Sequence, residues 1–537
     1  MQGWRGRKPA PANTRVYGPM TRLRREYYRK KLNGLLAKAD DEAFFVMMWA
    51  TSALQSGRPE RAKRFLTFPS QAATSDISSP FAVHAWVRET LLNEVLTIPK
   101  LSRQKGRRIR QLDCGTFRAV AAVANALREL ENAEDGLTLE RVSVLQEMHR
   151  LAQRQFEWQR GFVSYPQLYR AGILYGGERA RSFFSANYGF TLDEFSLSCF
   201  ALRAILLNSP AVMRGNNMDY IGISKDKLDA VFGLIAITHL EARRMAYELR
   251  LGGGHIGYKR SVLRQYPCVA FGEVGERVHA PLPDLITLRA TSGLFYDFVK
   301  ASDDARNEIS GNFEKYCRDL LRTMLPSFGV TGSVKYGRKN SQIDSPDILI
   351  RDNNSILMVL ECKATRLTFE ARFSEHPLDD AKRGYEEMAK GVFQIWRFVS
   401  HHRRGLLHQE RLAQDAKGVV LTLDTWLSMA ETMQSNVLDM ARTISEERDP
   451  NISVVDQIPI IFCSIDDLEQ TLCAGTELSF FQAIQAATQE EFHGWKLWRV
   501  HEEVAQEVIG ENHYPFVDRV SEVLPWWTTV RAIARPS

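Results

Sequence analysis

Over residues 32–211, apolar side chains recur at three- and four-residue spacing. The segments NGLLAKADDEAFFVMMWATSAL, HAWVRETLLNEVL, FRAVAAVANALRELENAED and RVSVLQEMHRLAQRQFEW all carry this period, which predicts amphipathic helices. Thr191 followed by Glu194 predicts a capping box at the start of EFSLSCFALRAILL. No repeat of 20 to 50 residues is evident, so no solenoid is expected. LGGGHIGYKR, from Leu251, interrupts the helical pattern. No strand precedes it and no Gly-Lys-Ser/Thr follows, so it reads as a linker rather than a phosphate loop. CVAFGEVGERVHAPLPDLI then predicts a short hairpin and a Pro-bounded turn.

From Arg306 the pattern changes to a mixture of periods. NEISGNFEKYCRDLLRTML predicts a helix, and VTGSVKYG, DILI and ILMVLECK predict strands. A helix over 379–402, the strand GVVLTL, the helix TWLSMAETMQSNVLDMARTI and the strand IPIIFCSI complete the order α-β-β-β-α-β-α-β. Strands as continuously apolar as GVVLTL imply a sheet covered by helices on both faces. The pattern predicts a multidomain chain: a largely α-helical N-terminal region followed by an α/β domain with a mixed sheet. Residues 1–31 are expected to form a flexible basic tail. Residues 32–250 are expected to form a helical domain for recognition, sensing or oligomerisation, and 251–299 a hairpin and linker. The α/β domain is expected over 300–470, and an aromatic-rich helical extension over 471–537. Trp526 and Trp527 in that extension are expected to be buried rather than to stack on bases.

Composition narrows the class. With 44% hydrophobic and 25% charged residues over 537 positions, the chain matches ordinary soluble proteins. No apolar run approaches the ~20 residues that span a bilayer, DAVFGLIAI being too short, and the N-terminus lacks the apolar core of a secretory signal. The seven cysteines are scattered without a CxxC pair, as expected of reduced cysteines in a cytoplasmic protein. No membrane partner is expected. The net charge of +6 is uneven: residues 1–31 carry ten Lys/Arg and one Glu, about +9, which leaves the rest near −3. KLSRQKGRRIR, residues 100–110, adds six cations and no acid. Both segments suit a polyanion, whose neutralisation releases counterions; a solvated tail and a solvated loop are the alternatives.

The candidate chemistry lies in SPDILIRDNNSILMVLECK, residues 345–363. Residues two apart in a strand share a face, so Glu361 and Lys363 point together and Cys362 points the other way. Pairing of DILI with ILMVLECK through an odd-length turn sets Asp347 opposite residue 359 or 361, on the same face. Two carboxylates in an apolar setting repel unless a cation lies between them. Lys363 supplies part of that charge, and a hard divalent ion supplies more. Such an ion polarises a phosphodiester and acidifies a bound water. On the helix that follows, Lys390, Gln394 and Arg397 fall at i, i+4 and i+7, one face that suits a phosphate backbone or solvent. The adjacent His401 and His402 cannot readily chelate one ion and receive no ligand role.

Pro346-Asp347, thirteen residues, then Glu361-x-Lys363 resembles the motif of the PD-(D/E)xK nuclease superfamily. GNFEKYCRDLL is similar to that superfamily's first-helix pattern, and FQIWRF to the Gln-xxx-aromatic signature of its RecB-like branches. The likeness covers about residues 300–470. It implies a restriction-endonuclease-like fold and a Mg²⁺-dependent DNA endonuclease in which Mn²⁺ substitutes. Asp347, Glu361 and Glu314 would hold the metal, Lys363 would complete the catalytic set, and Gln394 would contact substrate or support the site. Asp344 remains an alternative for the motif aspartate. Asp380-x-Lys382 and Asp415-x-Lys417 share the triplet but have no Pro-Asp partner strand. The resemblance also implies a restriction or anti-phage role in bacteria, a homodimer or higher oligomer, and a protein partner or activating ligand at the N-terminal region. Two alternatives stand beside it: a nucleic-acid-binding scaffold with a non-cutting domain, and a nuclease directed at RNA.

Overall fold

The helix Gly18–Leu36 begins inside the segment expected to be a flexible tail. It folds because Leu32 and Leu36 are buried and because Arg25 and Arg29 reach the buried carboxylate of Glu134, at 3.1 and 2.8 Å. The computed structural model describes all residues except 1–17, 102, 105–106, 109, 139–143, 252–253, 339, 375–376, 408–410, 428–430, 506–512 and 529–537. The remainder of the expected tail, residues 1–17, therefore lies outside the described residues, as do four positions of the second basic segment.

Helices dominate the N-terminal region. Asp41–Gln55 is capped by Asp40, whose side chain accepts from the Ala43 N–H at 2.9 Å. Leu192–Leu206 starts on the Thr191–Glu194 capping box that the spacing predicts. The region is not purely helical, however. Ala211–Met213, Arg277–His279, Cys268–Phe271 and Ala236–Thr238 form a four-stranded sheet in that order. Ala236–Thr238 comes from the end of the apolar run DAVFGLIAI, where parallel pairing with Cys268–Ala270 overrides the helical period. Among the described residues no helix is long and apolar enough to cross a membrane.

The C-terminal half holds a five-stranded mixed sheet. Helix α1 (Asp303–Met324) leads into β1 (Gly329–Gly332). A separate two-stranded hairpin, Lys335–Arg338 with Ser341–Asp344, intervenes before β2 (Ile348–Asp352) and β3 (Ser355–Lys363). VTGSVKYG is thus two strands rather than one. Helix α2 (Lys382–Arg403) connects β3 to β4 (Arg411–Thr422), and helix α3 (Glu431–Arg448) connects β4 to β5 (Ile460–Ser464). The order across the sheet is β5-β4-β3-β2-β1. β1, β2 and β3 pair antiparallel; β3, β4 and β5 pair parallel, as crossover helices require.

The sheet is buried on both faces. Leu349, Val359 and Val420 pack with Val392, Ile395 and Trp396 of α2 and Val437 and Ala441 of α3. On the other face, Ile348, Ile350, Met358, Leu360 and Cys362 join Phe313, Tyr316 and Cys317 of α1. That second core continues without interruption into Phe184, Phe195 and Phe232. The expected boundaries at residues 250 and 300 therefore do not separate two cores. A helical segment from before the linker completes one face of the sheet, and Trp526 joins the same core with its indole donating to Ser196 Oγ at 2.8 Å.

Because Phe313 is fully buried in this shared core, Phe313→Ala is expected to cost about 3–5 kcal/mol of stability. Hydrogen exchange should then speed up together in β2–β3 and in the helix Leu192–Leu206. Acceleration confined to residues 300–470 would contradict a common core.

Candidate active site

The β2–β3 hairpin turns through Asn353 and Asn354, with Asn353 in the left-handed region at φ 51°. Asparagine is among the few residues that tolerate this conformation. From the turn, Asp352 pairs with Ser355 and Arg351 with Ile356. That register, continued, would set Asp347 against Leu360 and aim its carboxylate into the apolar core. A bulge at Leu357 prevents this. Beyond it Ile350 pairs with Met358 and Ile348 with Leu360, so the next position sets Asp347 against Glu361. The expected odd-length turn is thus replaced by a two-residue turn plus one bulged residue. Either device puts the two carboxylates on one face.

The polar contacts follow from this register. Asp347 Oδ2 accepts from the Cys362 backbone N–H at 2.7 Å. Lys363 Nζ donates to Glu361 Oε1 and to Gln394 Oε1, each at 2.9 Å. Glu361 is only 3% exposed, and its second oxygen, Oε2, is buried with no hydrogen-bond partner among the described residues. Helix α2 can lie this close to the strand because residue 391 is glycine. A Cβ there would stand 3.1 Å from Lys363 Cε and 3.3 Å from Glu361 Cγ. A mid-helix glycine costs about 1 kcal/mol of helix propensity relative to alanine; here it sets the distance between Gln394 and Lys363.

On the opposite face, the Cys362 thiol meets Cys317 of α1, which together with burial pushes the Cys362 thiol well above its ordinary range. This contact seats α1 so that Glu314, nearly one turn earlier, feels the charges of the site. Burial first, and the neighbouring Asp347 second, push the Glu314 carboxyl up to about 7, against the pull of Lys363 and Arg318. Glu361 is likewise pushed up to about 7, by burial and then by Asp347, with Lys363 opposing. Asp347 is raised by burial. Lys363 is raised despite its burial, because Glu361 and Asp347 hold its proton. The site is therefore rich in carboxylate and short of positive charge.

Other residues singled out in the sequence have partners of their own, and Glu387, the partner of Lys390, also acts on the charge of Lys363. Lys390 is half-buried and pairs with Glu387 on its own helix at 2.7 Å. The Arg397 guanidinium lies over Phe393, 5.3 Å from the ring centroid. Of the predicted α2 face, then, Gln394 alone is hydrogen-bonded to Lys363. Asp344 is exposed at the end of the small hairpin, paired across it with Lys335. His401 contacts the Tyr336 hydroxyl and Asp449, at 2.9 and 3.2 Å. Among the described residues, no group of three or more His, Cys, Asp and Glu side chains stands close enough together to cage an ion. Gly391, the Leu357 bulge and the Cys317–Cys362 contact were not foreseen. The glycine within KGVFQIW was a readable signal; the bulge and the thiol contact left none.

The chain matches no protein-family model, no curated protein and no solved structure. A functional reading therefore rests on the chemistry of these residues.

That chemistry has a pH signature. Glu361 keeps its proton in the fold up to about pH 7, whereas in the unfolded chain it loses it near its ordinary 4.5. Below 4.5 both states are protonated. As the pH rises from 4.5 to 7 the unfolded chain holds fewer protons, so stability falls, and above 7 the full cost of the buried charge is present. Glu361→Gln mimics the protonated form. In EDTA, its melting temperature relative to wild type should rise between pH 5 and pH 8. A constant difference across that range would contradict the assigned environment.

Proposed function

We propose that the chain is a divalent-metal-dependent nuclease that hydrolyses phosphodiester bonds of DNA, with a restriction-endonuclease-like domain over about residues 300–470. One observation carries this reading: a buried carboxylate oxygen, Glu361 Oε2, has no donor among the described residues although it lies in a cluster of acids with Asp347 and Glu314. An unmet acceptor among acids fits a hard cation, which takes carboxylate oxygens together with water and phosphate oxygens. Asp347 and Glu361 would hold Mg²⁺ or Mn²⁺, with Glu314 close enough to sense Asp347. When bound, such an ion polarises the scissile phosphate and lowers the pKa of a coordinated water.

The remaining work falls to the chain's own groups. Lys363 carries three N–H donors and uses two on Glu361 and Gln394. The third has no acceptor among the described residues and would orient a water or meet the charge that builds on the phosphate oxygens. Gln394 fixes the lysine through its carbonyl, and its amide N–H₂ remains for a substrate oxygen. Burial under α2 lowers the local dielectric, so each of these contacts counts for more than it would in water.

One observation favours a second reading, a nucleic-acid-binding protein whose site does not cut: the described residues contain no ready-made cage of three ligands. Cleavage separates the two. Supercoiled plasmid should be nicked or linearised with Mg²⁺ or Mn²⁺ and left intact with EDTA. Lys363→Ala should lower the rate by about 10²–10³, the usual loss on removing one charge-stabilising donor. Equal cleavage by wild type and Lys363→Ala would overturn the assignment, and divalent-independent binding without turnover would favour the second reading.

A further inference from the structure

The two basic segments of the sequence, residues 1–31 and 100–110, lie far apart in the chain, yet the fold joins their described parts. Leu101 N–H donates to the Ala37 carbonyl at 2.8 Å, and Leu112 N–H to the Lys38 carbonyl at 2.9 Å. These bonds fasten both ends of the 101–112 loop to the end of the helix Gly18–Leu36. Between them the backbone of Arg103 and Gln104 pairs antiparallel with that of Arg108 and Arg107.

The cations of this assembly fall into two groups. Arg24, Arg25 and Arg29 pair with Glu129, Glu134 and Glu94 and fasten the helix to the body, while Lys100 pairs with Asp41 at 2.6 Å. Arg22, Lys30, Lys31 and Arg110 are exposed and form no ion pair among the described residues. The outward helix face that carries the first three also exposes Leu23 and Tyr27, at 64% and 61%, with Glu26 as its acid. The acids nearest the base of the loop are exposed but engaged: Asp40 caps the next helix through Ala43 N–H, and Asp113 accepts from Gly115 N–H at 3.1 Å. The helix spans roughly 28 Å at 1.5 Å per residue, which is comparable to one turn of B-form DNA.

We infer that the outer face of the helix Gly18–Leu36, together with Arg110 beside its end, binds the phosphate backbone of duplex DNA at a surface separate from the Asp347–Glu361–Lys363 site. Charge complementarity carries the assignment. Cations without ion-pair partners sit on an ion-paired base, so they need not be recruited from internal salt bridges; of the four, Lys31 lies over the Tyr28 ring, 5.6 Å from its centroid. The contacts are to phosphate and give affinity and orientation without base readout.

The test measures binding, not cutting. A fluorescent 20-base-pair duplex is titrated in EDTA at several salt concentrations against wild type and against the combined variant Arg22→Ala, Lys30→Ala, Lys31→Ala, Arg110→Ala. Each lost phosphate contact should flatten the slope of log K against log salt by roughly 0.9, so the variant should lose about three to four in slope and at least about tenfold in affinity at 100 mM salt. Its circular dichroism and melting temperature should match wild type, because the four side chains support no internal ion pair. Arg442→Ala, which removes an exposed cation that pairs with Asp439 on a different helix, should bind the duplex like wild type, so the loss is specific to this surface rather than to net charge. An unchanged slope in the variant would overturn the proposal. So would wild-type binding that is stronger to duplex RNA of the same length, or to vesicles containing anionic lipid, than to the DNA.

Discussion

One ammonium stands between acids that would otherwise repel. Lys363 Nζ lies 2.9 Å from Glu361 Oε1 and raises the cost of protonating the cluster, while burial pulls the other way strongly enough to leave Glu361 and Glu314 near 7. Two like charges 4 Å apart at an effective dielectric of 20 repel by about 4 kcal/mol. Lys363, with Arg318 acting on Glu314 as well, does not bring Glu361 or Glu314 back to the ordinary carboxyl range. The excess of carboxyl groups is a property of the fold, and under the proposed function a divalent cation would offset it.

Several otherwise unrelated features converge on that contact. The Leu357 bulge shifts the hairpin by one residue, so that Asp347 faces Glu361 and not Leu360. Gly391 lets α2 close over the strand, which brings Gln394 to the lysine. Cys362, on the opposite face, locks α1 against the sheet through Cys317 and thereby draws Glu314 within electrostatic reach. The shared core behind the sheet, running from Phe313 to Phe184, gives the platform its rigidity. Burial of a polar cluster is tolerable only on such a frame, since a loose one would admit water and relax the charges apart.

The elements near the site were legible in the sequence because their periods are strong. Val359, Glu361 and Lys363 alternate with Leu360 and Cys362 on a strand continuous enough to be central, and the helix through Gln394 carries a clear apolar stripe. What escaped was tertiary. No periodicity distinguishes an odd turn from a two-residue turn with a bulge, because both leave the same faces. The break at LGGGHIGYKR suggested separate domains, yet Phe184, Phe195 and Phe313 belong to one buried cluster that crosses it. Three-residue strands such as Ala236–Thr238 are too short to show alternation and are made by their partners. Residues 18–31 read as a tail from charge alone, because the carboxylates that pin them, at 94 and 134, lie 65 to 109 positions away along the chain.

Calorimetric titration of Mn²⁺ into the metal-free protein at pH 7 tests the central claim most directly. The account predicts saturable binding with proton release, since carboxyl groups raised toward neutrality must ionise to take the ion, and it predicts that Asp347→Ala, folded by circular dichroism, gives no such heat. Absence of binding in wild type, or undiminished binding in the folded Asp347→Ala protein, would contradict it.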